Sequence, residues 1–151
     1  MTAHVMPRRL AKLPKVVSIK DATGGLDSAS AVAAAGLLPV LSGDDPLTLP
    51  MMAVGGVGVV SVITNVWPER MVAMVRSAAA GDFASAREDH QAMLPLIRAL
   101  FSETNPVPAK YALARMGLIA AHCVRAPLAE ISEEAKAKVD AALLAAGLIS
   151  E

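Results

Sequence analysis

Val16-Val17-Ser18-Ile19-Lys20-Asp21-Ala22-Thr23-Gly24-Gly25 sets a short run with three β-branched residues between Pro14 and a polar, turn-forming segment. Apolar runs bounded in this way read as buried parallel strands, so a strand is predicted over 16–19 with Lys20 directly after its end. Downstream, Asp27 or Ser28 is placed to cap an Ala-rich helix that stops near Gly36. Leu38-Pro39-Val40-Leu41-Ser42 reads as a second strand. Asp44 and Asp45 before Pro46 read as capping acids for a helix over 46–54, with Pro50 tolerated near its first turn.

Gly55-Gly56-Val57-Gly58 reads as a tight turn into a third strand over 59–64, followed by a helix over 69–80. A dinucleotide-binding glycine loop follows its strand, whereas this one precedes it. The order strand, helix, strand, helix, strand, helix predicts parallel βαβ units whose strand ends open on one common face. Beyond Gly81 only helical patterns remain, over 82–101, 106–116 and 132–146, with Ser132 as an N-cap and a loop over 120–131. The expected organisation is therefore a strand-bearing part over 1–81 and a helical part over 82–151. Three parallel strands leave two sheet edges that complete α/β folds pair or cover, so the pattern resembles the later portion of a larger α/β domain.

Composition narrows the function classes. Of the 151 residues 54% are hydrophobic but only 3% aromatic, so the apolar content is small and aliphatic, which suits closely packed helices and buried strands. Fourteen basic and fourteen acidic residues balance, so no global field attracts nucleic acid or an anionic membrane. Arg8, Arg9, Lys12 and Lys15 read as a solvated helix face. Cys123 is the single cysteine, which excludes an internal disulfide and a cysteine metal cage and fits a cytoplasmic location. The segment Met1 to Leu10 has basic residues but no following apolar core, because Lys12, Pro14 and Lys15 interrupt it, so secretion is not expected. The uncharged run from Pro46 to Pro68 is long enough to cross a bilayer, but Pro50, Gly55, Gly56 and Gly58 divide it into helix, turn and strand, and no membrane span is expected.

At a strand's carboxyl end Lys20 stands where α/β barrels present catalytic groups. A lysine there, if partly desolvated, favours the free amine, which can attack a ketone to give an imine; a solvated lysine at a strand end is the alternative. His4, His90 and His122 show no ligand spacing, so no metal is expected. Trp67 and Met51, Met52, Met71 and Met74 read as packing residues.

Val17-Ser18-Ile19-Lys20-Asp21-Ala22-Thr23-Gly24 resembles the lysine signature of the dihydrodipicolinate synthase (4-hydroxy-tetrahydrodipicolinate synthase) family. Leu41-Ser42-Gly43-Asp44-Asp45, Gly55-Gly56-Val57-Gly58-Val59-Val60-Ser61-Val62 and Asn65-Val66 resemble its next strand-end motifs, in order. Gly81-Asp82-Phe83, Ala86-Arg87 and Leu100-Phe101 through Asn105-Pro106-Val107-Pro108-Ala109-Lys110 are similar to its C-terminal helical region. The resemblance runs from about Leu10 onward and implies an α/β fold, the C-terminal portion of a TIM (β/α)8 barrel of about three βα units followed by helices.

By that resemblance Lys20 forms the imine with pyruvate, Val60 lines the pyruvate site where isoleucine is more usual, and Gly43 lies on a loop beside it. The implied reaction condenses pyruvate with aspartate semialdehyde in lysine biosynthesis, without metal or organic cofactor. The family's threonine pair, relay tyrosine and pocket-mouth arginine precede the lysine, and only nineteen residues do so here. Tyr111 lies too late in the chain for the relay role. The resemblance thus implies a truncated barrel that associates as a homo-oligomer or with a complementing chain. The alternatives are an inactive interaction or assembly module, or a related pyruvate aldolase such as a sialic acid lyase-like enzyme.

Overall fold

The computed structural model describes residues 5–150. The readings of His4 and of the extreme N-terminus lie outside the described residues. Three parallel strands, β1 (Ile19–Asp21), β2 (Val40–Ser42) and β3 (Gly58–Val59), form one sheet in the order β1-β2-β3. The helices are α1 (Val5–Leu10), α2 (Asp27–Ala35), α3 (Thr48–Ala53), α4 (Pro68–Ala79), α5 (Phe83–Leu100), α6 (Val107–Arg115) and α7 (Glu133–Ala145). Two 3-10 turns, Asp45–Leu47 and Ile63–Asn65, lead into α3 and follow β3. The predicted alternation is present, and the elements described beyond Gly81 are helices. Arg8 and Arg9, on α1, are exposed, whereas Lys12 and Lys15 are exposed in the turns after it.

Strand limits differ from the sequence reading. The ladder opens where Ile19 donates to the Pro39 carbonyl at 2.9 Å, and Ile19 then pairs with Val40. Proline has no N–H to donate, so pairing does not extend back over Val16–Ser18 or Leu38. The first strand consequently begins three residues late and contains Lys20 instead of stopping before it. β3 is also shorter than the predicted 59–64. Val60 still donates to the Ser42 carbonyl at 2.8 Å, but β2 ends there and the chain turns into Ile63–Asn65.

Local capping partly departs from expectation. At the start of α2 the N-cap is Leu26, whose aliphatic side chain has no acceptor for a cap bond, and Asp27 and Ser28 lie inside the helix. Asp44 likewise occupies an N-cap position without a side-chain cap bond. Its backbone is held by hydroxyls instead: Ser42 Oγ accepts from the Asp44 N–H at 3.1 Å and donates to its carbonyl at 2.7 Å, and Thr48 Oγ1 donates to that carbonyl at 3.1 Å. The 46–54 helix is thus divided into a 3-10 turn and α3. Ser132, by contrast, caps α7 as read, accepting from the Ala135 N–H at 3.2 Å, with Glu133 and Glu134 in the first turn.

The chain forms two compact units, one taking in residues up to Ser61 with Ala73–Arg87, the other Val62–Val72 with residues from Glu88 on. In the first, α2 and α3 cover one face of the sheet: Ala29, Val32, Val40 and Met51 form a buried cluster against which Ile19 and Leu26 pack. Gly55 adopts φ +106°, and Gly56 donates to the Met51 carbonyl at 2.8 Å, giving the tight helix-to-strand turn predicted there. In the second, α6 packs on α7 and on the Ile63–Asn65 turn. Tyr111 donates to Asp140 Oδ2 at 3.0 Å, and Arg115 Nε meets Oδ1 of the same carboxylate at 2.8 Å. Met51, Met52, Met71 and Met74 are all buried, as their packing reading requires. Among the described residues no helix is long and apolar enough to cross a membrane.

Candidate active site

The sheet register assembles the candidate site. In parallel strands paired residues share a face and successive residues alternate. Ile19 pairs with Val40 and Asp21 with Ser42, and these four side chains belong to the helix-covered face; Val40, Asp21 and Ser42 are buried. Lys20 pairs with Leu41, which pairs with Gly58, so these three belong to the opposite face. Two residues further on, Gly43 and Val60 continue the Lys20 face beyond the strand ends.

Gly43 closes tightly on the lysine strand. Its N–H donates to the Asp21 carbonyl at 2.6 Å. A Cβ added there would lie 2.6 Å from Ala22 Cβ, 2.9 Å from the Asp21 carbonyl oxygen and 2.9 Å from Lys20 Cε. Glycine is required by this close approach, because the lysine stem lies where any side chain at 43 would begin. Val60, through its N–H bond to the Ser42 carbonyl, flanks the end of β2 and is 46% exposed. Lys20 is itself exposed, so the described residues do not supply the partial desolvation expected of an imine-forming lysine. Leu41 is half-buried beside it, and Val57, at the entry to β3, is also exposed.

The sequence reading treated Asp21 only as part of a turn, yet its carboxylate organises the loop that follows the lysine. Asp21 is 5% exposed, and Oδ1 accepts from the Thr23 N–H at 3.0 Å and from the Thr23 hydroxyl at 2.8 Å. Burial pushes the carboxyl up, but the Thr23 amide, the Thr23 hydroxyl and the Ser28 hydroxyl together outweigh it and hold it below its usual range. The signal was available in Asp-x-Thr spacing, which favours an Asx-type turn.

A stability consequence follows from that direction. A carboxyl whose folded pKa is depressed stabilises the fold fully above the ordinary aspartate value of about 3.9. That contribution is lost as pH falls through the lower folded value. Urea midpoints measured against pH are expected to decline over this acid window more steeply in the native protein than in Asp21→Asn; parallel profiles would refute the assignment.

Tyr111 belongs to the α6–α7 contact described above. Burial, then its bond to Asp140, raises its pKa. Cys123 is exposed, and the Lys110 ammonium donates to its carbonyl. Among the described residues no cluster of three or more His, Cys, Asp or Glu side chains could hold a metal ion.

Comparison with known proteins gives this geometry a context. The model of the dihydrodipicolinate synthetase family matches residues 3–146. The 4-hydroxy-tetrahydrodipicolinate synthase of Methanococcoides burtonii is 50% identical over 128 residues, covering 83% of this chain and 44% of that protein. The crystal structure of dihydrodipicolinate synthase from Aquifex aeolicus superposes with a TM-score of 0.92 at 38% identity, over 97% of this chain and 50% of that one. The chloride-inhibited dihydrodipicolinate synthase of Acinetobacter baumannii, solved in complex with pyruvate, gives a TM-score of 0.88 at 37% identity, over 95% of this chain and 50% of that one. The chain spans about half the length of the curated relatives it matches.

Proposed function

The chain belongs to the dihydrodipicolinate synthetase family, and on that footing we propose that it carries the lysine-bearing part of a pyruvate-dependent Schiff-base lyase of the 4-hydroxy-tetrahydrodipicolinate synthase type. The observation that carries this reading is the common sheet face of Lys20, Gly43 and Val60, with Lys20 Cε packed at Gly43. In this reading the residues over 1–81 are the last three βα units of a (β/α)8 barrel, and those over 82–151 are its C-terminal helical region. The relatives reported above are named for the synthase, which favours it over a sialic acid lyase.

In the proposed reaction the neutral Lys20 amine attacks C2 of pyruvate, and the resulting carbinolamine loses water to give the imine. The protonated imine nitrogen draws electrons from C3, so that a base can remove a C3 proton and leave an enamine. C3 then attacks the aldehyde carbon of aspartate semialdehyde; the carbon–carbon bond forms as the C=O π pair moves to oxygen, which takes a proton to become a hydroxyl, and the nitrogen is left as an imine for hydrolysis. Gly43 leaves room for the lysine stem, and Val60 offers an apolar wall to the pyruvate methyl group. The carboxylate clamp, relay tyrosine and mouth arginine implied by the resemblance come, in this proposal, from outside these 151 residues. Association with another copy or a complementing chain, and a cytoplasmic setting, belong to the same proposal.

The test is reductive trapping. Pyruvate with borohydride is expected to add one covalent increment at Lys20, located by peptide mass spectrometry, and Lys20→Ala is expected to abolish it. A folded, unmodified protein under these conditions would overturn the reading.

A further inference from the structure

We infer that Asp21 is a positioning residue for Lys20, its side chain and carbonyl together fixing the end of β1 so that the amine is presented beside Gly43. The inference rests on the imine reading above and deepens it. Neighbouring strand residues point to opposite faces, so a side chain held firmly on the covered face commits the preceding residue to the other. Asp21 is held in this way. Its carboxylate accepts from the Thr23 amide at 3.0 Å and from the Thr23 hydroxyl at 2.8 Å, with the residue only 5% exposed.

Bonds to an ionised acceptor are stronger than those between neutral groups, and a buried carboxylate deprived of them is costly, so the arrangement resists rotation of the strand end. The Asp21 carbonyl meanwhile accepts from Gly43 at 2.6 Å. One residue thus ties the lysine strand to the Thr23 turn through its side chain and to the Gly43 loop through its backbone. Ser42, the register partner of Asp21, repeats the device on β2 by holding the Asp44 backbone. Both strand ends beside the candidate site are therefore fixed from the buried face.

Thr23 gives a mild way to test this, because it is exposed and its substitution leaves the core intact. Thr23→Val removes the hydroxyl while keeping the shape, and Thr23→Ser restores it. Asp21→Asn removes the charge. The first and third are expected to slow the limiting rate of pyruvate trapping at Lys20 by about tenfold, as displacement of a reacting group does. The pyruvate concentration giving half that rate should move less. Thr23→Ser should recover the native rate, and circular dichroism should show all variants folded.

Native rates in Thr23→Val and Asp21→Asn, or a Thr23→Ser variant as slow as Thr23→Val, would overturn the inference. If the native protein traps no pyruvate, the imine reading fails by itself, and competitive acylation with an N-hydroxysuccinimide ester then decides the positioning. The labelling ratio of Lys20 to Lys15 is expected to change in Asp21→Asn, and an unchanged ratio would refute the clamp.

Discussion

Gly43→Val is expected to lower reductive trapping of pyruvate at Lys20 by about a hundredfold, the scale that a misplacement of about 1 Å can reach at a reacting centre. The first side-chain atom at 43 would meet three neighbours at once: Ala22 Cβ at 2.6 Å, the Asp21 carbonyl at 2.9 Å and Lys20 Cε at 2.9 Å. Only the lysine stem can swing away without moving backbone, and swinging it away removes the amine from its place. The Ala22 and Asp21 contacts persist in either case, so β1 and the loop after β2 must also part, at the expense of the bond from Gly43 to Asp21. Both effects displace the Lys20 amine. Gly43→Ala should show a smaller loss for the same reason. Adduct yield by mass spectrometry, with circular dichroism to establish folding, decides the matter; native yield from a folded Gly43→Val protein would show that Lys20 does not depend on this approach.

The largest stability effect is expected from Leu143→Ala, at about 2–5 kcal/mol, the range for emptying a fully buried leucine site. Leu143 is inaccessible to solvent in α7 and follows Ala135 and Val139 at four-residue spacing, so these three, with Ala142 beside them, form the buried stripe of that helix. Leu144, one residue on, is 40% exposed. Leu144→Ala should therefore change stability by no more than about 0.5 kcal/mol, the usual range for surface substitutions. Leu143→Met, which conserves volume, should cost less than about 1.5 kcal/mol. Urea denaturation of the three variants measures the differences, and equal costs at 143 and 144 would contradict the orientation of α7.

Several features were legible because the chemistry that makes them is consecutive in the chain. Ser132 followed by two glutamates identifies the start of α7, since a hydroxyl can satisfy an amide one turn ahead without help from elsewhere. Gly36, at φ +61°, ends α2 for a similarly local reason. The alternation of strands and helices up to residue 81 was readable from β-branched runs separated by Gly, Pro and Asp. Lys20 stood out because it follows such a run.

Tertiary pairing decided the remainder. Whether Val16–Ser18 joins a strand depends on its partner, and the partner preceding Val40 is Pro39, which has no N–H to offer. That single absence moved β1 onto Lys20. The β-branched residues from Val60 onward do not extend β3, because β2 ends at Ser42, the Asp44 carbonyl accepts from the Ser42 and Thr48 hydroxyls, and the chain turns into Ile63–Asn65. Asp44 could not be told from a capping acid until the hydroxyls of Ser42 and Thr48 were seen to hold its backbone.

The sequence by itself determined the order of elements, their helix and strand character and the family resemblance, and it singled out the lysine on which the proposal turns. The tertiary structure decided which face that lysine occupies, why position 43 must lack a side chain, and which carboxylate steadies the strand end. Propensity and capping act between residues a few positions apart. Face and register come from hydrogen bonds between segments some twenty residues apart, as Ile19 with Val40 and Leu41 with Gly58, and no local pattern encodes them.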